Sequence, residues 1–81
     1  MKLLKFQQPN CAPCTQVSEY LDNKNIKYEK INVWDDPEQA SNYGIMSVPV
    51  VILLSSDGVE IRRSVGFKPQ ELNEFAEFFQ Q

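Results

Sequence analysis

Two side chains in this sequence carry covalent chemistry of their own, Cys11 and Cys14, set three positions apart in Pro9-Asn10-Cys11-Ala12-Pro13-Cys14-Thr15. Two intervening residues within a helical turn bring two sulfurs close enough to bond. Such a short loop makes a poor structural staple, so the pair is left free for chemistry. That chemistry is thiol–disulfide exchange: a thiolate attacks a disulfide sulfur, a mixed disulfide forms, and a second thiol resolves it. Cys11 lies where an apolar run breaks at Pro9-Asn10 and a helical pattern begins. The unpaired N–H groups and positive dipole end of a helix start favour an anion. A thiolate at Cys11 gains from both, which lowers its pKa from the free value of about 8.5. Cys14, one turn further in, is expected to be the more buried thiol. Cys11 is therefore read as the nucleophile and Cys14 as the resolving thiol. Pro13 lacks an N–H, but in a first helical turn that donor has no partner anyway. The chain has no histidine, which removes imidazole catalysis and the commonest metal ligand.

The elements around the pair follow from periodicity. Lys2 to Gln7, with Leu3, Leu4 and Phe6, reads as a short buried strand. From Ala12 the pattern is helical, with Cys14, Val17 and Leu21 on one face beside Tyr20, until Asn23-Lys24-Asn25 ends it. Tyr28 to Val33 alternates as a second strand. Asp36 is read as the N-cap of a short helix with Pro37 at its first position, stopping at Gly44. Val48 to Leu54 is the most apolar run and is expected to be a central strand, with Pro49 at its beginning. Ser55-Ser56-Asp57-Gly58 is a hairpin turn, and Val59 to Arg63 an edge strand with outward charges. After a Val65-to-Pro69 loop, Leu72, Phe75, Ala76 and Phe79 mark the buried face of a last helix. The order βαβαββα predicts an α/β fold with a four-stranded mixed sheet and helices on both faces.

Composition bounds the function. A chain of 81 residues with 42% hydrophobic content is read as a single domain over residues 1–81 with one core. Eight basic and eleven acidic residues leave a net charge of −3, which disfavours nucleic acid as a partner. The opening Met1-Lys2-Leu3-Leu4-Lys5-Phe6 is too short an apolar stretch for a signal peptide, and no window is long enough to span a membrane. The expectation is a cytoplasmic monomer with no membrane partner, in a compartment that keeps thiols reduced. No cofactor is expected. A CxxC pair also occurs in metal and haem sites, but zinc needs four ligands and this chain offers two thiols, so such a site would need two chains. Copper chaperones carry a Met before the first Cys and a different element order, and a c-type haem site needs His where Thr15 stands. The remaining alternative makes Cys11 and Cys14 small buried hydrophobes.

A CxxC opening the first helix of a βαβ unit, followed by Ser47-Val48-Pro49 at a strand start, resembles the thioredoxin superfamily. Lys30-Ile31-Asn32-Val33 and Tyr43-Gly44-Ile45-Met46 are similar to bacterial thioredoxin. In length, and in Gln8-Pro9-Asn10-Cys11, the chain is similar to glutaredoxins. Gly66-Phe67-Lys68-Pro69 resembles a segment of the small redoxins that reduce ribonucleotide reductase. The resemblance implies a thioredoxin fold, a cis peptide at Pro49, and a cytosolic reductase of protein disulfides. It also implies that Val48 and Pro49, with Asn10 and Pro13, contact the substrate. The reductant implied is a thioredoxin-reductase-type enzyme or glutathione. Two alternatives stay open, a glutathione-dependent glutaredoxin and a non-enzymatic adaptor on the same fold. Asn10 stands where thioredoxins have Trp, and Ala12-Pro13 where they have Gly-Pro. Lys5 stands where they carry a buried Asp that helps the second thiol lose its proton. A lysine there either stabilises a thiolate by its charge or snorkels to solvent.

Overall fold

Both faces of β1 (Lys2–Gln7) are apolar, Leu3 on one and Leu4 and Phe6 on the other, so the strand is buried from both sides and becomes a centre of the sheet. In the computed structural model, which describes residues 1–79, it is followed by α1 (Ala12–Asn23), β2 (Glu29–Asn32), α2 (Pro37–Asn42), β3 (Val50–Leu54), β4 (Glu60–Val65) and α3 (Pro69–Phe79). The sheet order is β2-β1-β3-β4, with β1 parallel to β2 and antiparallel to β3, and β3 antiparallel to β4. All five residues of β3 are buried, as their unbroken apolar run requires.

The two faces hold separate cores. Leu3, Val51 and Leu53 pack with Val17 and Leu21 of α1 and Leu72 and Phe75 of α3. Leu4, Phe6, Val50, Ile52 and Leu54 pack with Ala40 of α2, where the Tyr43 ring lies 5.6 Å from that of Phe6. The expected mixed sheet with helices on both faces is the fold observed. α2 begins as its sequence dictates. The Asp36 carboxylate accepts from the Gln39 backbone N–H at 3.1 Å and from the Gln39 side-chain amide at 3.0 Å. Asp36→Ala should cost about 1 kcal/mol, the usual worth of an N-cap, measured by urea denaturation.

Three strands differ in their bounds from the sequence reading. β2 is shorter by one residue at each end. β3 starts at Val50, so Val48 and Pro49 precede the strand rather than open it. β4 runs from Glu60 to Val65 and takes in Val65, which was expected in a loop. The register explains the last shift. Leu54 pairs with Glu60 but Leu53 with Arg62, so Ile61 is the extra residue of a bulge. The bulge changes the parity of the strand and places Glu60 and Arg63 on the same face. There Arg63 Nε donates to Glu60 at 2.7 Å, while Arg62 pairs with Glu74 of α3 on the other face. The Ser55 hydroxyl accepts from the N–H groups of Asp57 and Val59, closing the β3–β4 turn, and Gly58 takes the positive φ of 83° that the turn needs.

Candidate active site

β1 ends at Gln7 and β3 begins at Val50, and because these strands are antiparallel neighbours the two ends lie side by side. The loop carrying Cys11 and the Val48–Pro49 segment therefore emerge at the same edge of the sheet. Asn10 adopts a left-handed conformation (φ 58°), which Asn tolerates better than most residues. It turns the chain sharply from the strand into α1. Cys11 becomes the N-cap of α1 and Pro13 falls within the first turn, as the sequence pattern implies.

The two sulfurs are bonded to each other, with Cα atoms 5.2 Å apart. Their surroundings differ. Cys11 is half-buried and Cys14 is 4% exposed. The Cys14 backbone N–H donates to Cys11 Sγ at 3.2 Å, and the Thr15 N–H donates to the Cys11 carbonyl at 3.1 Å. The first turn of α1 contains no acidic side chain. An orphan N–H aimed at Sγ, the positive helix end and the absence of nearby carboxylate in that turn all stabilise negative charge on Cys11. Ala12 and Pro13 between the cysteines are exposed, so a second chain can approach the sulfur from this side.

The Val48–Pro49 peptide bond is cis. Pro49 is buried and its carbonyl accepts from the Gly66 N–H at 2.8 Å, which ties this segment to the end of β4. Val48 lines a small cleft of about 120 Å³ with Gln8, Val33, Ile45, Met46 and Ser47. Met46 is 97% exposed and Trp34 64% exposed. An apolar rim thus borders the disulfide edge of the sheet, with Gln8 leading from it towards Cys11.

Lys5 does not snorkel. Its residue is 1% exposed, and its ammonium donates to Gln7 Oε1 on its own strand and to Ser18 Oγ on α1. Burial, with the positive charge of Lys30 adding to it and Asp22 partly opposing it, holds Lys5 at about 8, well below the ordinary lysine value. Gln7 and Ser18 were not singled out from sequence. Alternation puts Gln7 on the same face of β1 as Lys5, and Ser18 follows Cys14 by four positions on one helix face. Those two spacings were the available signal. Thr15, whose hydroxyl also donates to the Cys11 carbonyl at 3.3 Å, carried none.

Comparison with known proteins agrees with this architecture. A glutaredoxin family model matches residues 3–61. The chain is 55% identical over 74 residues to the SPbeta prophage-derived thioredoxin-like protein YosR of Bacillus subtilis, covering 91% of this chain and 92% of that protein. It is 37% identical over 75 residues to the thioredoxin of B. subtilis, covering 85% of this chain and 71% of that one. Among solved structures, the glutaredoxin-like NrdH-redoxin of Escherichia coli superposes with a TM-score of 0.77 at 26% identity, covering 91% of this chain and 93% of that one. A family match across most of the sequence, and a relative more than half identical along nearly its whole length, make this chain a member of the glutaredoxin family within the thioredoxin superfamily, a thiol–disulfide oxidoreductase of the protein-disulfide-reducing kind.

Proposed function

We propose that the protein reduces disulfides of cytoplasmic proteins by dithiol exchange, with Cys11 as nucleophile and Cys14 as resolving thiol. The observation that carries the assignment is the asymmetry of the pair: Cys11 half-buried at the helix start with an N–H on its sulfur, Cys14 enclosed behind it. The Cys11 thiolate attacks one sulfur of a substrate disulfide. A Cys11–substrate disulfide forms, and the other substrate sulfur leaves as a thiolate and takes a proton from water. Cys14, its proton lost to water, attacks Cys11 Sγ as a thiolate and releases the second substrate sulfur as a thiolate, which is protonated by water. Two electrons pass to the substrate, and Cys11 and Cys14 are left bonded to each other.

Val48 and Pro49 supply the surface along which the substrate chain lies, with Asn10 and Pro13 flanking the attacked sulfur. The support for this placement is the shared sheet edge and the apolar rim at Val33, Ile45 and Met46. A monomer suffices for every step. The resemblance of Gly66-Phe67-Lys68-Pro69 to a segment of the small redoxins that reduce ribonucleotide reductase supports that enzyme as one substrate of this class.

Of the two reductants, a thioredoxin-reductase-type enzyme is favoured over glutathione, a choice supported by the 37% identity to the thioredoxin of B. subtilis. The oxidised protein should reduce insulin in the presence of NADPH and thioredoxin reductase at least about tenfold faster than with glutathione and glutathione reductase at matched reducing equivalents. A protein regenerated only by glutathione, whose Cys14→Ser variant still removes glutathione from mixed disulfides, is instead a monothiol-competent glutaredoxin. Full biological activity in a Cys11→Ser/Cys14→Ser double variant would make it an adaptor.

A further inference from the structure

A lysine at the middle of a core strand is an expensive residue, and among the described residues no carboxylate is bonded to Lys5. Alternation along β1 puts it on the same face as Leu3, and its register partner Val51 belongs to the apolar core beneath α1 and α3. Its ammonium is bonded only to neutral oxygens, Gln7 Oε1 and Ser18 Oγ, among the described residues. An ammonium has three donors, so one remains for whatever occupies the space beside it. That space is a cavity of about 250 Å³ whose lining includes Lys5, Gln7, Cys11, Cys14, Ser18 and Lys30. Ser18 lies four residues after Cys14 on α1, and side chains so spaced stand roughly 5–6 Å apart on one helix face. The Ser18 hydroxyl that holds the ammonium is thus about one helical turn below the Cys14 sulfur.

We infer that the Lys5 ammonium is a positioning charge for Cys14: when the disulfide is opened, it holds the resolving sulfur as a thiolate across this cavity. In the disulfide form no bonded counter-charge meets the buried cation among the described residues, and the dithiol form supplies one. Lys30 lines the same cavity from β2 and adds positive charge. Asp22 of α1 opposes this charge, and its carboxylate also accepts from the Tyr28 hydroxyl at 3.1 Å. Glu71 of α3 is engaged by the Ser64 hydroxyl at 2.6 Å, with Val51 standing between Ser64 and Lys5 in the sheet register. At neutral pH Lys5, held at about 8, is still largely protonated. Opening the Cys11–Cys14 bond takes up two electrons, and Cys14 takes up no proton because the ammonium holds its negative charge. In the second step of exchange that charged sulfur attacks Cys11 Sγ directly, and the departing substrate thiolate takes its proton from water.

The inference rests on the dithiol-exchange reading, and the two can be separated. The wild-type protein, Lys5→Met and Lys5→Arg are equilibrated in glutathione redox buffers, and the reduced forms are titrated by thiolate absorbance. Lys5→Met should raise the Cys14 thiol titration by about one unit. It should shift the dithiol–disulfide equilibrium up to about tenfold towards the disulfide, which for a two-electron couple is about 30 mV more reducing. Resolution of the mixed disulfide should slow only about threefold, because a more basic sulfur is also a better nucleophile. Lys5→Arg should stay close to wild type. A second measurement needs no change at position 5. By reciprocity, the Lys5 ammonium of the wild-type protein should titrate about one unit higher in the dithiol form than in the disulfide form, read from its Nζ resonance. Equal titration of Lys5 in both forms, or a Lys5→Met protein with wild-type Cys14 titration and equilibrium, overturns the inference. A wild-type protein that does not exchange with glutathione at all overturns the dithiol reading itself.

Discussion

Cys11→Ser should reduce insulin no faster than dithiothreitol alone, a loss of about a thousandfold or more in the catalysed rate. The reason is chemical rather than structural. The attacking species is a thiolate, and a serine hydroxyl at the same helix start is not ionised at neutral pH. The variant should keep its fold, because the N-cap function survives: a serine oxygen accepts from the Cys14 N–H as well as a sulfur does. Cys14→Ser should behave differently. It leaves the first attack intact and removes the second, so the protein accumulates as a mixed disulfide with its substrate, stable to gel filtration and visible by mass spectrometry. A Cys11→Ser protein with insulin reduction well above background, or a Cys14→Ser protein that turns over freely, would exchange or dissolve the assigned roles.

Much of this site was legible in the chain because its parts are local. The CxxC spacing, the Pro9-Asn10 break and the start of a helical period all fall within seven residues, and together they narrow the readings that the spacing alone leaves open. The same holds for Asp36-Pro37, where an N-cap and a first-turn proline define a helix start without help from the rest of the fold. The β4 boundary was not legible. Glu60, Ile61, Arg62 and Arg63 alternate acceptably in either parity, and only pairing with β3 reveals that Ile61 is extra. Lys5 shows a deeper limit. Its position inside an apolar strand could be read, but its environment could not. Whether its ammonium escapes to water depends on Gln7 and on Ser18, which is 13 positions away and reaches it only because α1 crosses that face of the sheet. Likewise, the nearness of Val48–Pro49 to Cys11 follows from the antiparallel register of β1 and β3, a long-range fact no local pattern contains.

The same lysine should make the protein less stable than it could be. Oxidised Lys5→Met, unfolded with urea at pH 7, should be more stable than wild type by on the order of 1–2 kcal/mol. In the folded protein Lys5 titrates at about 8, against an ordinary value of 10.5. Below pH 8 both folded and unfolded chains carry the proton, and the folded one bears the whole cost of burying it. Between pH 8 and about 10.5 the folded chain loses the proton first, so the unfolded chain binds more protons and wild-type stability contributed by this group rises with pH. The advantage of Lys5→Met should therefore be greatest below pH 8 and shrink towards pH 10. Full conversion of the shift would give a larger figure, but the cavity beside Lys5 opens to water, and the Gln7 and Ser18 oxygens lose a donor in the variant. Methionine fills nearly the same volume, so packing changes little. A Lys5→Met protein less stable than wild type at pH 7 would mean that the two hydrogen bonds outweigh the buried charge. Greater stability combined with a shifted redox equilibrium would place Lys5 among residues kept for function at the expense of the fold.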